Sequence, residues 1–258
     1  MNKLTVDRSS WGRLRVTGGD RVRFLQGLTT VNVEALASGA HGWGAILNPK
    51  GRVLSVIDVA RDGESFVIAC EAALAAPTRA LLERYAVMDD VAFESLAGPA
   101  HQIWSAVADV WTAPIAAGAG ENMLAETDPA VERLRIRAGL PRYGVDVDDE
   151  HFPFETPLGN FLDYKKGCYV GQEPVFRVHA QGNAANQLRG LLVDGAAPIA
   201  PGATIQHAAR DRAGAITSAV DAGDGTTLAL GYLHRTAYEV GGTVEVDGRR
   251  ALVHELPW

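Results

Sequence analysis

The chain is short of the residues that most often announce a chemistry. Of its 258 residues only Cys70 and Cys168 are cysteines. Two thiols in a chain this long make no disulfide framework, which points to a reducing compartment. Neither cysteine belongs to a CxxC pair and the seven histidines form no HExxH, so no metal site is expected. One chain cannot supply the four thiolates of an ordinary iron–sulfur cluster, and Cys168 would join one only if it were shared with another chain or a small thiol. The phosphate loop GxxxxGK[ST] is missing, Gly18-Gly19 does not extend to GxGxxG, and there is no GxSxG elbow. Long apolar runs are missing too: none could span a bilayer, and the first sixteen residues hold no signal-peptide core. Positive charge is scarce, with 24 Lys and Arg against 31 Asp and Glu, a net charge of -7 and a pI near 5.5. That balance argues against direct nucleic-acid binding and against an anionic membrane as partner. A cytoplasmic protein is expected.

What remains is ordinary globular material, 47% hydrophobic with 28 glycines and 12 prolines, long enough for two or three packed units. Leu14 and Val16 alternate as in a strand. Thr17-Gly18-Gly19-Asp20 then reads as a turn into a helix, with Asp20 as its cap and Val22, Leu25 and Leu28 at helical spacing. Two apolar runs around Arg61-Asp62-Gly63 predict a hairpin. Residues 77–85 predict a helix with Pro77 in its first turn. Mixed short strands, hairpins and helices make the class α+β. The stretch 117–123 is loop-like and divides the first part into two sub-units. After Arg189 six short runs separated by Gly, Pro or Asp predict a small C-terminal β-barrel. The expected organisation is therefore 1–187, a ligand-binding α+β region, and 188–258, the barrel.

One stretch is unusual. Residues 165–173 read KKGCYVGQE, a thiol set among lysines, glycines, an aromatic ring and a carboxylate. Gly167 and Gly171 let the backbone bend. Lys165, Lys166, Arg177 and His179 gather positive charge that would attract a carboxylate ligand and favour a Cys168 thiolate. Gln172 and Glu173 offer directional hydrogen bonds to a heterocycle. The plain alternative is a solvated lysine pair, a helix cap and an inert thiol, and chemistry alone leaves both open. Cys70 closes the run FVIAC and reads as core.

KGCYVGQE followed by Arg177 resembles the signature of the YgfZ family of folate-binding proteins, itself similar to the T-protein, or aminomethyltransferase, of the glycine cleavage system. FLQGLTTVNV at 24–33, LNPKGRVL at 47–54 and RLRIRAGLPRYGVDV at 133–147 resemble further blocks of that family, so the likeness covers nearly the whole chain. It implies a T-protein-like fold with a central cleft for tetrahydrofolate or a derivative. The implied role is folate-dependent assistance in assembling or repairing iron–sulfur client enzymes, including radical-SAM enzymes that modify tRNA, with Cys168 as the working residue. By the same resemblance Thr30 and Asn32 lie in the first folate-facing segment, and Lys166, Gln172, Glu173 and Arg177 support the loop carrying Cys168. Tyr169 would stack on a pterin, and Arg137 and Arg142 would receive the ligand's carboxylates. T-proteins carry an aspartate pair where this chain has Leu54 and Ser55, and an acid where it has Arg137. Those departures imply an accessory folate-binding protein rather than an aminomethyltransferase or demethylase. A folate-binding module without thiol chemistry is the third reading.

Overall fold

A computed structural model describes residues 3–181 and 184–258. The order is β1 (Leu4–Asp7), β2 (Gly12–Thr17), α1 (Arg21–Leu28), β3 (His41–Leu47), β4 (Val53–Asp62) and β5 (Ser65–Cys70). Next come α2 (Ala72–Tyr85), β6 (Ala92–Ser95), β7 (Ala100–Trp104), α3 (Asp109–Thr112), β8 (Ala116–Ala117), α4 (Pro129–Ala138) and α5 (Gln172–Gln181). The chain then runs through β9 (Asn186–Asp194), β10 (Thr204–His207), β11 (Arg210–Asp221), β12 (Thr226–His234), β13 (Thr243–Val246) and β14 (Arg249–His254). The expected α+β class holds. A five-stranded sheet runs β3-β4-β5-β2-β6, a three-stranded one β1-β7-β8, and the last six strands close a barrel in the order β10-β11-β12-β9-β14-β13.

Local chemistry explains most boundaries. The run 53–59 of β4 is buried except at Leu54, as suits a central strand covered on both faces. At α4, the Asp128 carboxylate accepts from the Ala130 N–H, Pro129 opens the first turn, and Gly139 stops the helix at φ 69°. A Cβ on Gly139 would also lie 2.8 Å from Pro157 and 2.9 Å from Leu256.

Two local expectations fail. Helix α2 begins at Ala72, so Pro77 sits in its interior rather than its first turn. Packing of Leu74, Thr78 and Leu82 overrides the missing N–H. Asp20 precedes α1 but makes no cap bond; its Oδ2 accepts from the N–H of Asp90, seventy residues on.

The main part holds two apolar clusters, one around Trp43, Trp104 and Trp111, the other around Phe24, Leu25 and Phe66. A smaller cluster of Ile136, Leu188, Leu228, Leu230 and Leu256 joins α4 to the barrel. At its edge Asp146, fully buried, accepts hydrogen bonds from Arg135 and from Thr217 and Ser218 of β11. This joint seats the barrel against the part that carries the candidate site. Among the described residues no helix is long and apolar enough to cross a membrane.

Candidate functional site

The segment 163–171 is clamped from below. Asp163 Oδ1 accepts from the N–H groups of Lys165 (2.7 Å) and Lys166 (3.1 Å), and its Oδ2 accepts from Asn32 Nδ2 at 2.6 Å. Lys166 turns inward, 6% exposed, and its ammonium donates to the carbonyls of Thr29 and Val31, both at 2.6 Å. Burial pushes that ammonium down to about 8, against the pull of Asp163 and Glu34. Gly171, at φ 80°, touches the 48–51 turn: a Cβ there would lie 2.4 Å from the Asn48 carbonyl oxygen. Fixed at both ends, the loop presents Cys168 to solvent as a free thiol. Lys165, Gly167, Glu173 and Arg177 are also exposed, while the side chain of His179 lies outside the described residues.

The main part also holds a small cavity of about 40 Å³, walled by Arg8, Trp11, Trp43, Glu71, Glu126 and Arg142 among others. Arg8 is held between the rings of Trp11 (4.4 Å) and Trp104 (5.1 Å), donates to Gln102, and pairs with Glu126. Burial lowers it to about 9, with Glu71 pulling back. Arg142 reaches Glu132 at 2.7 Å and the Glu126 carbonyl at 2.9 Å, closing the cavity's edge. Glu71 accepts from the Tyr143 N–H at 3.2 Å; burial raises its carboxyl, against that bond and the nearby arginines. The Trp43 indole is 1% exposed and its N–H finds no partner among the described residues. A buried donor without an acceptor is costly and calls for an explanation.

The aromatic packing connects the two features. Trp43 meets Trp11 and Trp111 edge-on, with centroids 6.0 and 5.5 Å apart, and Trp111 continues to Phe161 at 4.9 Å. Tyr169, buried with an unpartnered hydroxyl, belongs to the same cluster and lies beneath the Lys166 ammonium, 5.0 Å from its ring centre.

Of the residues singled out from the sequence, Thr30, Asn32, Lys166, Cys168, Tyr169 and Gln172 come together around the loop. Thr30 accepts from the Ala45 N–H, and Gln172 from the Tyr169 N–H. Arg142 stands at the cavity. Arg137 does not; it lines a different pocket, because two helical residues place it about 200° around α4 from Arg135. Sequence reasoning missed Arg8, Glu71, Glu126 and Arg135. Arg135 was findable as a charge in phase with the buried Val131 and Ala138. Arg8 was not, since only the pairing of β1 with β7 brings it to Gln102. Asp58, on β4, is 2% exposed and bonds to His41 Nδ1 at 2.7 Å, while Ser55 is bonded to Thr78. Burial pushes the Asp58 carboxyl up and His41 draws it back. Among the described residues no group of three or more His, Cys, Asp or Glu could hold a metal ion.

No family model matches the chain. Among curated proteins it is 26% identical to a putative chloroplastic transferase of Arabidopsis thaliana, over 99% of this chain and 71% of that protein. It is 25% identical to the tRNA-modifying protein YgfZ of Yersinia pestis, covering 89% and 84% of the two chains. The YgfZ of Escherichia coli O157:H7 is 27% identical over 77% and 73%. The structure of the glycine cleavage system aminomethyltransferase T from Bartonella henselae superposes on 99% of this chain and 86% of its own, with a TM-score of 0.80 at 20% identity. The likeness to YgfZ proteins and the T-protein fold, both read from the sequence, are borne out.

Proposed function

We propose that this chain binds tetrahydrofolate or a close derivative in the Trp43–Glu71 cavity, and that it acts through Cys168 in maintaining iron–sulfur enzymes, including those that modify tRNA. The observation that carries the ligand half is the buried, unpaired Trp43 N–H on a wall shared with the Glu71 carboxylate. A pterin has what these groups need. Its amino and ring N–H donors lie side by side and suit one carboxylate, as Glu71 offers, and its ring carbonyl suits an indole donor. Arg142, partly exposed at the rim, suits the ligand's glutamate carboxylates. The fit is one of kind; at about 40 Å³ the cavity is narrow, whereas sites for such ligands span about 300–1,000 Å³. Entry therefore requires the cavity to widen at the edge held by the Arg8–Glu126 pair and by the bonds of Arg142 to Glu132 and the Glu126 carbonyl.

The names of the YgfZ relatives and the T-protein fold support a folate-linked, tRNA-modification-related role. An accessory role is favoured over aminomethyl transfer because Leu54 and Ser55 replace the strand's acids and Asp58 is committed to His41. The thiol half rests on a clamp of buried bonds that ends in an exposed cysteine.

The test is calorimetric titration of wild type, Glu71→Gln and Cys168→Ser with tetrahydrofolate and its 5-formyl derivative, beside complementation by Cys168→Ser of a strain lacking its YgfZ. Wild type and Cys168→Ser bind, Glu71→Gln binds weakly, and Cys168→Ser fails to complement. Folded proteins that all ignore the ligand would remove the folate half; full complementation by Cys168→Ser would remove the thiol half.

A further inference from the structure

Arg137 opens on a pocket of about 540 Å³, separate from the central cavity and almost wholly apolar. Leu4 of β1, Val107 and Ala108 before α3, Leu134 of α4 and Trp258 form its walls. The Trp258 wall is fixed rather than loose. Its N–H donates to the Arg137 carbonyl at 3.0 Å, its ring stacks on His254 at 5.1 Å, and it covers Gly190 so closely that a Cβ there would lie 2.0 Å from the indole.

Within this apolar lining stands one charged group. The Arg137 Nε is buried and has no hydrogen-bond partner, and no carboxylate comes within ion-pair distance of the guanidinium among the described residues. Asp224 and His254 feel its charge only from further off. Asp109, the nearest acid in sequence on the α3 side, is taken by the Ser105 hydroxyl. Arg137 is half-buried as a whole, yet its Nε is withdrawn from solvent and no bond to the α4 carbonyls takes it up.

We propose that this pocket is a binding site for a small monocarboxylate with an aliphatic or aromatic body. The carboxylate pairs with Arg137, supplying the acceptor its Nε lacks, and the body covers Leu4, Val107, Leu134 and Trp258. Its lining, apolar with one charged group, is of the kind that orients a small ligand, and its volume falls in the usual range, although the pocket is open on one side. Charge complementarity selects the class: a cation would be repelled, and a neutral chain would leave the guanidinium unpaired.

Octanoate is the probe, titrated calorimetrically into the whole chain, with octan-1-ol and octylammonium as matched controls. Octanoate binds wild type, octanol binds about tenfold or more weakly, octylammonium gives no signal, and Arg137→Met weakens octanoate about tenfold or more. Tetrahydrofolate does not displace octanoate, because the two sites are separate. Equal binding of octanoate and octanol, unchanged affinity in folded Arg137→Met, displacement by tetrahydrofolate, or no octanoate binding up to its solubility would each overturn the proposal. The octanol comparison needs no variant, so it decides even if Arg137→Met does not fold.

Discussion

Replacing Asp146 by asparagine removes one charge from the joint between α4 and the barrel while keeping its shape. Asp146 is fully buried and its two oxygens accept four hydrogen bonds. Oδ2 takes Arg135 Nη1 at 2.7 Å and the Arg142 N–H at 3.0 Å; Oδ1 takes Ser218 Oγ at 2.8 Å and Thr217 Oγ1 at 2.5 Å. An asparagine has one acceptor oxygen, so one side of this arrangement must face its amide N–H groups. The hydroxyls of Thr217 and Ser218 can rotate and accept instead. Arg135 cannot, and it is left buried with Glu132 as its remaining carboxylate. Removing one partner of a buried ion pair costs about 3–5 kcal/mol, and the bond pair to Glu132 holds this case near the lower end, about 3 kcal/mol. For a chain of this size that lowers Tm by about 6–12 °C. Urea unfolding followed by circular dichroism measures it directly. A loss below about 1 kcal/mol would refute the reasoning, for it would mean that the arginine rehydrates and the joint is not buried in solution. Replacing Arg135 and Asp146 together by methionine and leucine should cost less than Asp146→Asn alone, since no charge is then left unpaired.

Two further outcomes concern titration. Burial holds the Lys166 ammonium near 8 against 10.5 in the unfolded chain, so between these values the unfolded state binds more protons and stability rises with pH. Relative to Lys166→Met, wild type gains up to about 3 kcal/mol from pH 8 to 10.5; a flat difference in urea unfolding would contradict the inward position of Lys166. His41 behaves oppositely. Burial opposes its protonation, but Asp58 at Nδ1 and the Thr112 carbonyl at Nε2 outweigh this and raise it above 6.5. Its contribution is fully present below pH 6.5 and is lost as pH rises through the folded value, so the stability gap between wild type and His41→Asn narrows with rising pH. A gap that widens would show that His41 is held neutral.

The barrel was legible because each of its six runs carries its own alternation and its own turn residues, as in the β13–β14 hairpin, where Asp247 and Gly248 take positive φ. The hairpin of β4 and β5 and the α4 stop at Gly139 were legible for the same local reason. What escaped was non-local. Asp20 offers a cap by every local rule, yet the Asp90 N–H takes its carboxylate. The loop at 165–171 announced itself by composition, but the sequence gives Lys166 no direction; its inward turn depends on the bend after α1, which aims the carbonyls of Thr29 and Val31 at its ammonium. The cavity was hidden most completely, because its walls come from the β1–β2 connection, β3, β4, the residue before α2, the stretch before α4, α4 itself and the turn after it. Arg137 and Arg142 looked equivalent in sequence, and helical phase together with the turn at 139–142 sends them to different pockets.

The central claim is that a pterin-bearing ligand meets Trp43 and Glu71, and one titration tests it most directly. Tetrahydrofolate is titrated into wild type and Trp43→Phe, a change that keeps a six-membered aromatic ring and removes the pyrrole part of the indole with its N–H. The account predicts binding by wild type and a loss of up to about tenfold in Trp43→Phe, the worth of one buried hydrogen bond. Binding of equal strength in both proteins would contradict it by placing the ligand elsewhere, and a folded wild type that does not bind would contradict it outright.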